Sequence, residues 1–287
     1  MNIVRLSVQG SSPWNEDALV AREEFGVFGV IDGATSLVPF TGAGGETGGY
    51  LAAGIIAGTM HRLLDEWGTR REPAFPLADA LLEANRLLRE EMMKHGIRTD
   101  RKEELWSAGA AMIRVTDTAV HYAQAGDCML TAVYTDGTIR VVTRDQIAHL
   151  DRETHRLWAE GVASGLASRE ALWSHVLPQI VQGRQSANTP SGYGVLNGEP
   201  EAADYLEHGR INRINLKALL LMTDGLYAPK RAEEPMFDPV EVTARVAQIG
   251  LERYVEWLVG MEEGDPDCRL YPRVKKSDDK TAIWIEL

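Results

Sequence analysis

Acidic residues recur at one kind of place in this 287-residue chain. Asn15-Glu16-Asp17 opens the short β-prone run ALVARE, and Asp32-Gly33 closes the apolar run VFGVI. Gly126-Asp127 follows VHYAQA, Asp224-Gly225 closes ALLLMT, and Asp278-Asp279 precedes TAIWI. Asp-Gly is a common turn dipeptide, and any one of these pairs alone reads as a turn. The set is distinguished by Asp32 and Asp224, which end unusually apolar runs, where a buried edge makes an unpaired carboxylate costly. Carboxylates gathered at a sheet edge repel one another unless a cation stands among them. Oxygen ligands without His or Cys select Mg²⁺, Mn²⁺ or Ca²⁺ over zinc. No twelve-residue loop has the oxygen spacing of an EF-hand.

These residues need a sheet to bring them together. Residues 2–9 alternate as a strand, and GVFGVI at 26–31 reads as a buried strand. Small residues and then leucines over 45–67, and apolar residues at helical spacing over 76–95, predict two helices. Between 107 and 144 lie four short β-prone segments, with turns at Asp117-Thr118 and Asp136-Gly137. Consecutive hairpins argue for antiparallel pairing rather than a Rossmann-type parallel sheet. Helical patterns resume over 146–182, and 183–200 is a Gly/Ser/Pro/Asn-rich loop, either a flap beside a site or a surface excursion. LKALLLM at 216–222 is another buried strand, helices follow near 239–262, and TAIWIEL closes the chain as a strand. The order predicts an α+β sandwich, stacked central sheets flanked by helix pairs, in a single domain spanning 1–287.

Composition narrows the function classes. Apolar residues make up 44% and charged residues 25%, which excludes a disordered chain and a coiled coil. No apolar run approaches the ~20 residues of a membrane helix, and the N-terminus has no signal-peptide pattern. The formal charge of -12 argues against nucleic acid as a partner. Cys128 and Cys268 have no metal-ligand spacing and read as small buried residues in a reducing, cytoplasmic setting. His149 and His155 lie six apart, not at the i, i+4 spacing of a helical metal pair, and read as helix surface. The glycines at 42–49 lack GK[ST] and read as a loop leading into a helix.

The pieces, in order, resemble the metal-dependent protein Ser/Thr phosphatases of the protein phosphatase 2C type. The resemblance is carried by NEDA at 15–18, FGVFGVIDGA at 25–34, SAGAAMI at 107–113, AQAGDCM at 123–129, LLLMTDGLY at 219–227 and SDDKTAIWI at 277–285. Each is short, but together they span almost the whole chain. The resemblance implies a four-layer αββα sandwich with two central, mainly antiparallel sheets. It implies that Asp32 bridges two Mn²⁺ or Mg²⁺ ions, that the Gly33 carbonyl binds the second, and that Asp224 and Asp278 complete the first site. Glu16 and Asp17 would hold the second ion or its waters, and Asp127 a weak third ion. Asp32, Asp224 and Asp17 would then be the catalytic carboxylates. Two such ions neutralise a phosphomonoester and acidify a bridging water, so no Ser or Cys nucleophile is needed. The implied substrate is a phosphoserine or phosphothreonine protein, with a cognate Ser/Thr kinase as a further partner.

Three positions depart from the family pattern. GSSPW stands where an arginine often grips the phosphate, and Arg5 lies too early to match. Ala34 replaces a histidine found in many eukaryotic members, and Ala228 replaces an aspartate of the third site. In SDDKT, Asp278 aligns with the metal ligand and Asp279 with the usual asparagine, or the register slips by one. Two other functions stay open at this point: a non-catalytic phosphatase-like binding module, and a phosphohydrolase acting on a small molecule.

Overall fold

The computed structural model describes residues 1–70, 74–231 and 233–287. In chain order its elements are β1 (Asn2–Val8), β2 (Asp17–Arg22), β3 (Val27–Ala34), α1 (Gly48–Arg70), α2 (Leu77–Lys94), β4 (Ser107–Val115), β5 (Ala119–Ala125), β6 (Met129–Tyr134) and β7 (Ile139–Val141). There follow α3 (Ala148–Ala163), α4 (Arg169–Gln185), a single turn α5 (Ala202–Tyr205), β8 (Glu207–Asn212), β9 (Leu216–Met222), α6 (Pro239–Ile249), α7 (Leu251–Glu263) and β10 (Lys280–Glu286).

The strands form two five-stranded sheets, ordered β1-β10-β9-β6-β7 and β2-β3-β4-β5-β8. Every ladder is antiparallel. Side chains alternate between the two faces of a strand, so parity assigns each residue to a layer. On β3 and β4, Val27, Ile31, Ala108, Ala110 and Met112 pack under α1 and α2. Phe28, Val30, Ala111 and Ile113 fill the seam between the sheets, facing Leu219, Leu221, Ile283 and Ile285. On the far side Leu220, Met222 and Ala282 pack against α6 and α7 through Val246, Tyr254 and Leu258. The layers are therefore αββα, as the chain order predicts.

Parity also aims the acidic residues. Asp32 continues the face of Phe28 and Val30, and Asp17 continues that of Ala21, so both side chains belong to the inter-sheet face. From the other sheet, Thr223 and Thr281 continue the faces of Leu221 and Ile283. Small residues at the start of α1 let the helix ride close over β3. A Cβ on Gly33 would stand 2.2 Å from the Gly49 carbonyl and 2.5 Å from that of Glu16.

Three segments differ from the sequence reading. The 146–182 helical region is a hairpin, α3–α4, with its own small apolar cluster of Trp158, Leu172, Val176 and Cys268. The loop after it is tied down: Ala108 and Leu196 exchange backbone hydrogen bonds of 2.9 and 3.1 Å. Asn188 anchors its turn by hydrogen bonds to Val195 and Asn197. The edge strand β8, EHGRIN, has no apolar alternation, and it forms because β5 offers it an antiparallel edge.

Candidate metal centre

Asp17 and Asp32 stand directly opposite each other on β2 and β3, and Asp32 is in turn opposite Gly109 on β4. Asp224 begins a turn two residues beyond the end of β9. Asp278 lies in the turn before β10. The register β9–β10 runs up to Met222↔Ala282, so both turns emerge at the same end of that sheet. The two sheets meet there through Thr223, whose hydroxyl donates to Asp17 Oδ2 at 2.9 Å. The amide of Thr281 donates to the same Thr223 oxygen at 3.0 Å.

Each of these aspartates keeps a solvent-facing edge and is otherwise enclosed by protein. Burial is the main reason the Asp17 carboxyl is pushed up to about 8, and the charges of Asp278 and Asp224 add to it. Burial, then the charge of Asp17, raises Asp32 far above the ordinary carboxylate range. Asp224 is raised by burial and by Asp278, and a hydrogen bond from Asp32 partly offsets this. A second relief of charge is Lys275, whose ammonium lies 2.6 Å from Asp278 Oδ1. Partial burial works against this ammonium, but Asp278, Asp32 and Asp224 outweigh it and raise its pKa.

Glu16 and Asp279 do different work. Glu16 is buried and accepts hydrogen bonds from the hydroxyls of Thr35 and Thr47, behind Gly33 rather than among the aspartates. Asp279 accepts the Gly10 and Glu16 amides, each at 2.7 Å, so both of its oxygens latch the N-terminal segment to the start of β10. Asp278 is the member of the pair that faces Asp224. Its turn is fixed from below by Lys280, fully buried, which pairs with Glu262 of α7 at 2.8 Å and donates to the Asp278 carbonyl at 2.8 Å.

Asp127 belongs to a neighbouring group. Gly126, at φ 81°, turns the chain after β5, and a Cβ on Gly109 would stand 2.9 Å from Asp127 Oδ1. Burial raises Asp127, and then the charges of Asp224, Asp145 and Asp151. Asp145 caps α3 by accepting the amides of Ile147 and Ala148, and burial still pushes it up to about 6. Asp151, on the first turn of α3, is raised by burial and by the charge of Asp224. The sequence reading missed Asp151 and Asp145, which carry no motif and reach the centre only through the path of α3.

It missed Arg184 and Lys275 as well. Arg184, at the end of α4, donates to Ser107 Oγ at 2.6 Å and to the Thr35 carbonyl at 3.1 Å. It lines a cavity of about 180 Å³ together with Asp32, Asp127 and Asp224. Its guanidinium is thus brought to the acidic centre from far along the chain.

Among the described residues, no three acidic, His or Cys side chains converge closely enough to form a ready-made ligand set. The donor chemistry nevertheless fits hard divalent cations. Oxygen donors from both sheets are crowded enough to raise their pKa values and to recruit an ammonium, and a divalent ion relieves the same repulsion more strongly. His155 lines the depression beside Asp224, with its ring edge-on to Phe237 at 5.5 Å.

The chain belongs to the protein phosphatase 2C family, whose sequence profile matches residues 9–260. Its fold is shared by the catalytic domain of the serine threonine protein phosphatase PstP in complex with two manganese ions. That match has a TM-score of 0.58 at 16% identity and covers 99% of this chain and 97% of the other. Also similar are PstP/Ppp of Mycobacterium tuberculosis (0.57, 18% identity, 100% and 98% covered) and Stp1 of Staphylococcus aureus (0.58, 15% identity, 99% and 94% covered). At these identities the likeness establishes the common αββα architecture. No curated protein has significant sequence similarity to this chain. By family the chain is a metal-dependent protein Ser/Thr phosphatase, as its six motifs imply.

Proposed function

We propose that Asp32, Asp224, Asp278 and Asp17, with the Gly33 carbonyl, hold two Mn²⁺ or Mg²⁺ ions, and that the chain uses them to hydrolyse phosphoserine and phosphothreonine in proteins. The observation that carries this is the placement of four aspartates, two from each sheet, at one end of the inter-sheet seam. When bound, such ions supply charge neutralisation of the phosphoryl oxygens and an acidified water. The chain's own residues do the rest. Thr223 and Thr281 orient Asp17 by hydrogen bonds. Asp279 holds the Glu16–Asp17 backbone at a fixed distance from Asp278. Glu16, behind Gly33, supports the turn whose carbonyl faces the second ion, with Gly33 N donating to Glu16 O at 3.0 Å. Asp127, with Asp151 beside it in the same acidic group, would hold a weaker third ion, Ala228 offering no ligand there.

Arg184 answers the absence of an N-terminal phosphate-gripping arginine. A planar fork of donors suits a phosphoryl group, and Arg184 lines the cavity that Asp32 and Asp224 share. A binding module would have little reason to keep the aspartate cluster beside this fork. The phosphoprotein substrate is supplied by a Ser/Thr kinase, and both cysteines are buried and free, which suits a reducing compartment. No helix among the described residues is long and apolar enough to cross a membrane.

The test is hydrolysis of an aryl phosphate and of a phosphothreonine peptide with Mn²⁺, with Mg²⁺ and with chelator. Turnover of both that vanishes on chelation supports the reading. Full activity after exhaustive chelation overturns the metal centre, and turnover confined to small phosphate esters would favour a small-molecule phosphohydrolase.

A further inference from the structure

We propose that the cleft between α3 and the stretch ending at Phe237 receives the polypeptide flanking the phosphorylated residue, and that it selects a large apolar side chain there. The proposal rests on the phosphatase reading and adds where, and by what chemistry, the substrate chain docks.

The cleft has a volume of about 660 Å³. It shares His155, Lys230, Met236 and Pro272 with a depression of about 190 Å³ that reaches Asp224 and Asp278. The two therefore adjoin across these four residues, one at the acidic centre and the other farther out along α3. A phosphorylated side chain placed at Asp224 brings its own backbone to the mouth of that depression, and the neighbouring residues run into the cleft.

Charge alone does not define the occupant, because two of the three basic groups on the rim, Arg156 and Lys230, are matched, and only Arg152 has no ion pair among the described residues. Arg156 pairs with Glu153 and Glu160 on its own helix. Lys230 pairs with Glu241 at 2.6 Å. Between them the lining is Ala159, Ala163, Pro235, Met236 and Pro272. Such a surface gains most from an apolar side chain. Met adapts its shape to varied partners, which suits a site that must accept more than one sequence.

The boundary between the cleft and the depression, where Met236 is followed by Phe237, is fixed rather than incidental. Phe237 sits at φ 56°, a left-handed conformation that costs a bulky non-glycine residue free energy. It is held there between two rings, edge-on to His155 at 5.5 Å and to Tyr227 at 5.4 Å. Burial keeps the His155 imidazole neutral, lowering its pKa to about 4, so this packing does not loosen at ordinary pH. Tyr227 follows the Asp224 turn directly, so the same stack ties the cleft wall to the catalytic end of β9.

The experiment uses the full chain loaded with Mn²⁺ and a series of short phosphothreonine peptides, otherwise of Ala and Ser, with one Leu moved through the positions on either side. Leu at one or two positions is expected to raise kcat/KM by about tenfold over the Ala peptide, through KM. Ala159→Glu and Met236→Ala are expected to abolish that preference while leaving turnover of an aryl phosphate within about twofold. Aryl phosphate turnover also reports that each variant is folded. A flat peptide series, or variants that slow peptide and aryl phosphate alike, overturns the docking cleft and leaves the phosphatase reading intact. No turnover of any substrate by the parent protein overturns both.

Discussion

Lys275 holds its ammonium 2.6 Å from Oδ1 of Asp278, so the centre carries a cation from its own chain. The lysine lies three residues before the aspartate, in the turn that leads into β10. It stabilises a carboxylate cluster that would otherwise repel, and it stands where it competes with any ion that Asp278 binds.

Removing that competitor has a predictable sign. Lys275→Met is expected to tighten Mn²⁺ binding by about tenfold or more, since a positive charge close to two divalent ions is lost. It is also expected to lower the melting temperature in chelator. Titration calorimetry and thermal melts check both, and unchanged or weaker Mn²⁺ binding would show that Lys275 does not oppose the ion.

Asp32→Asn and Asp224→Asn keep the shape of the centre and remove one carboxylate. Turnover should fall by about 10²-fold or more, because electrostatic stabilisation is among the largest catalytic terms. Metal-free stability should hold or rise, as burial and the charges of its neighbours already disfavour the ionised form of Asp32. The Mn²⁺-induced rise in melting temperature should shrink. Asp127→Asn should cost less turnover, since it serves the neighbouring group with Asp145 and Asp151. Near-full turnover in both of the first two variants would rule out the two-ion arrangement.

Stability in chelator should depend on pH with a definite direction. The folded pKa values of Asp145 and Asp17 are pushed up to about 6 and about 8. Unfolded carboxyls titrate near 4. Between these values the folded state binds more protons, so stability falls as pH rises. The contribution is fully present below about 4 and is lost through 6 and then 8. Melts from pH 5 to 8.5 should therefore drop in chelator and flatten with saturating Mn²⁺, which holds the carboxylates ionised. A rise with pH in chelator would contradict the crowded cluster.

Lys280 and Glu262 form a fully buried pair that fixes the Asp278 turn to α7. Lys280→Met alone leaves a buried carboxylate without its cation, and should cost about 3–5 kcal/mol in denaturant unfolding. Lys280→Met with Glu262→Leu should recover much of that loss. Equal destabilisation in the single and double variants would mean that packing, not charge, holds this turn.

Local pattern made much of this protein legible. Short apolar, β-prone runs bounded by turns marked β3, β4, β9 and β10, and the motifs at Asp32, Asp127, Asp224 and Asp278 are chain-local, so they could be read in order. The αββα fold follows, because consecutive hairpins and helix pairs leave few ways to bury their faces. What the tertiary structure decided was the partnership of residues far apart in the chain. Asp279 differs from Asp278 only because the Gly10 and Glu16 amides reach it across the domain. Arg184 and Asp151 arrive at the centre through the α3–α4 hairpin, whose docking no motif encodes. Strand β8 exists because β5 offers an edge, not because EHGRIN favours a strand. A side chain's layer is fixed by its immediate neighbours along the chain. Its charge state and its partner are fixed by whatever the fold packs against it.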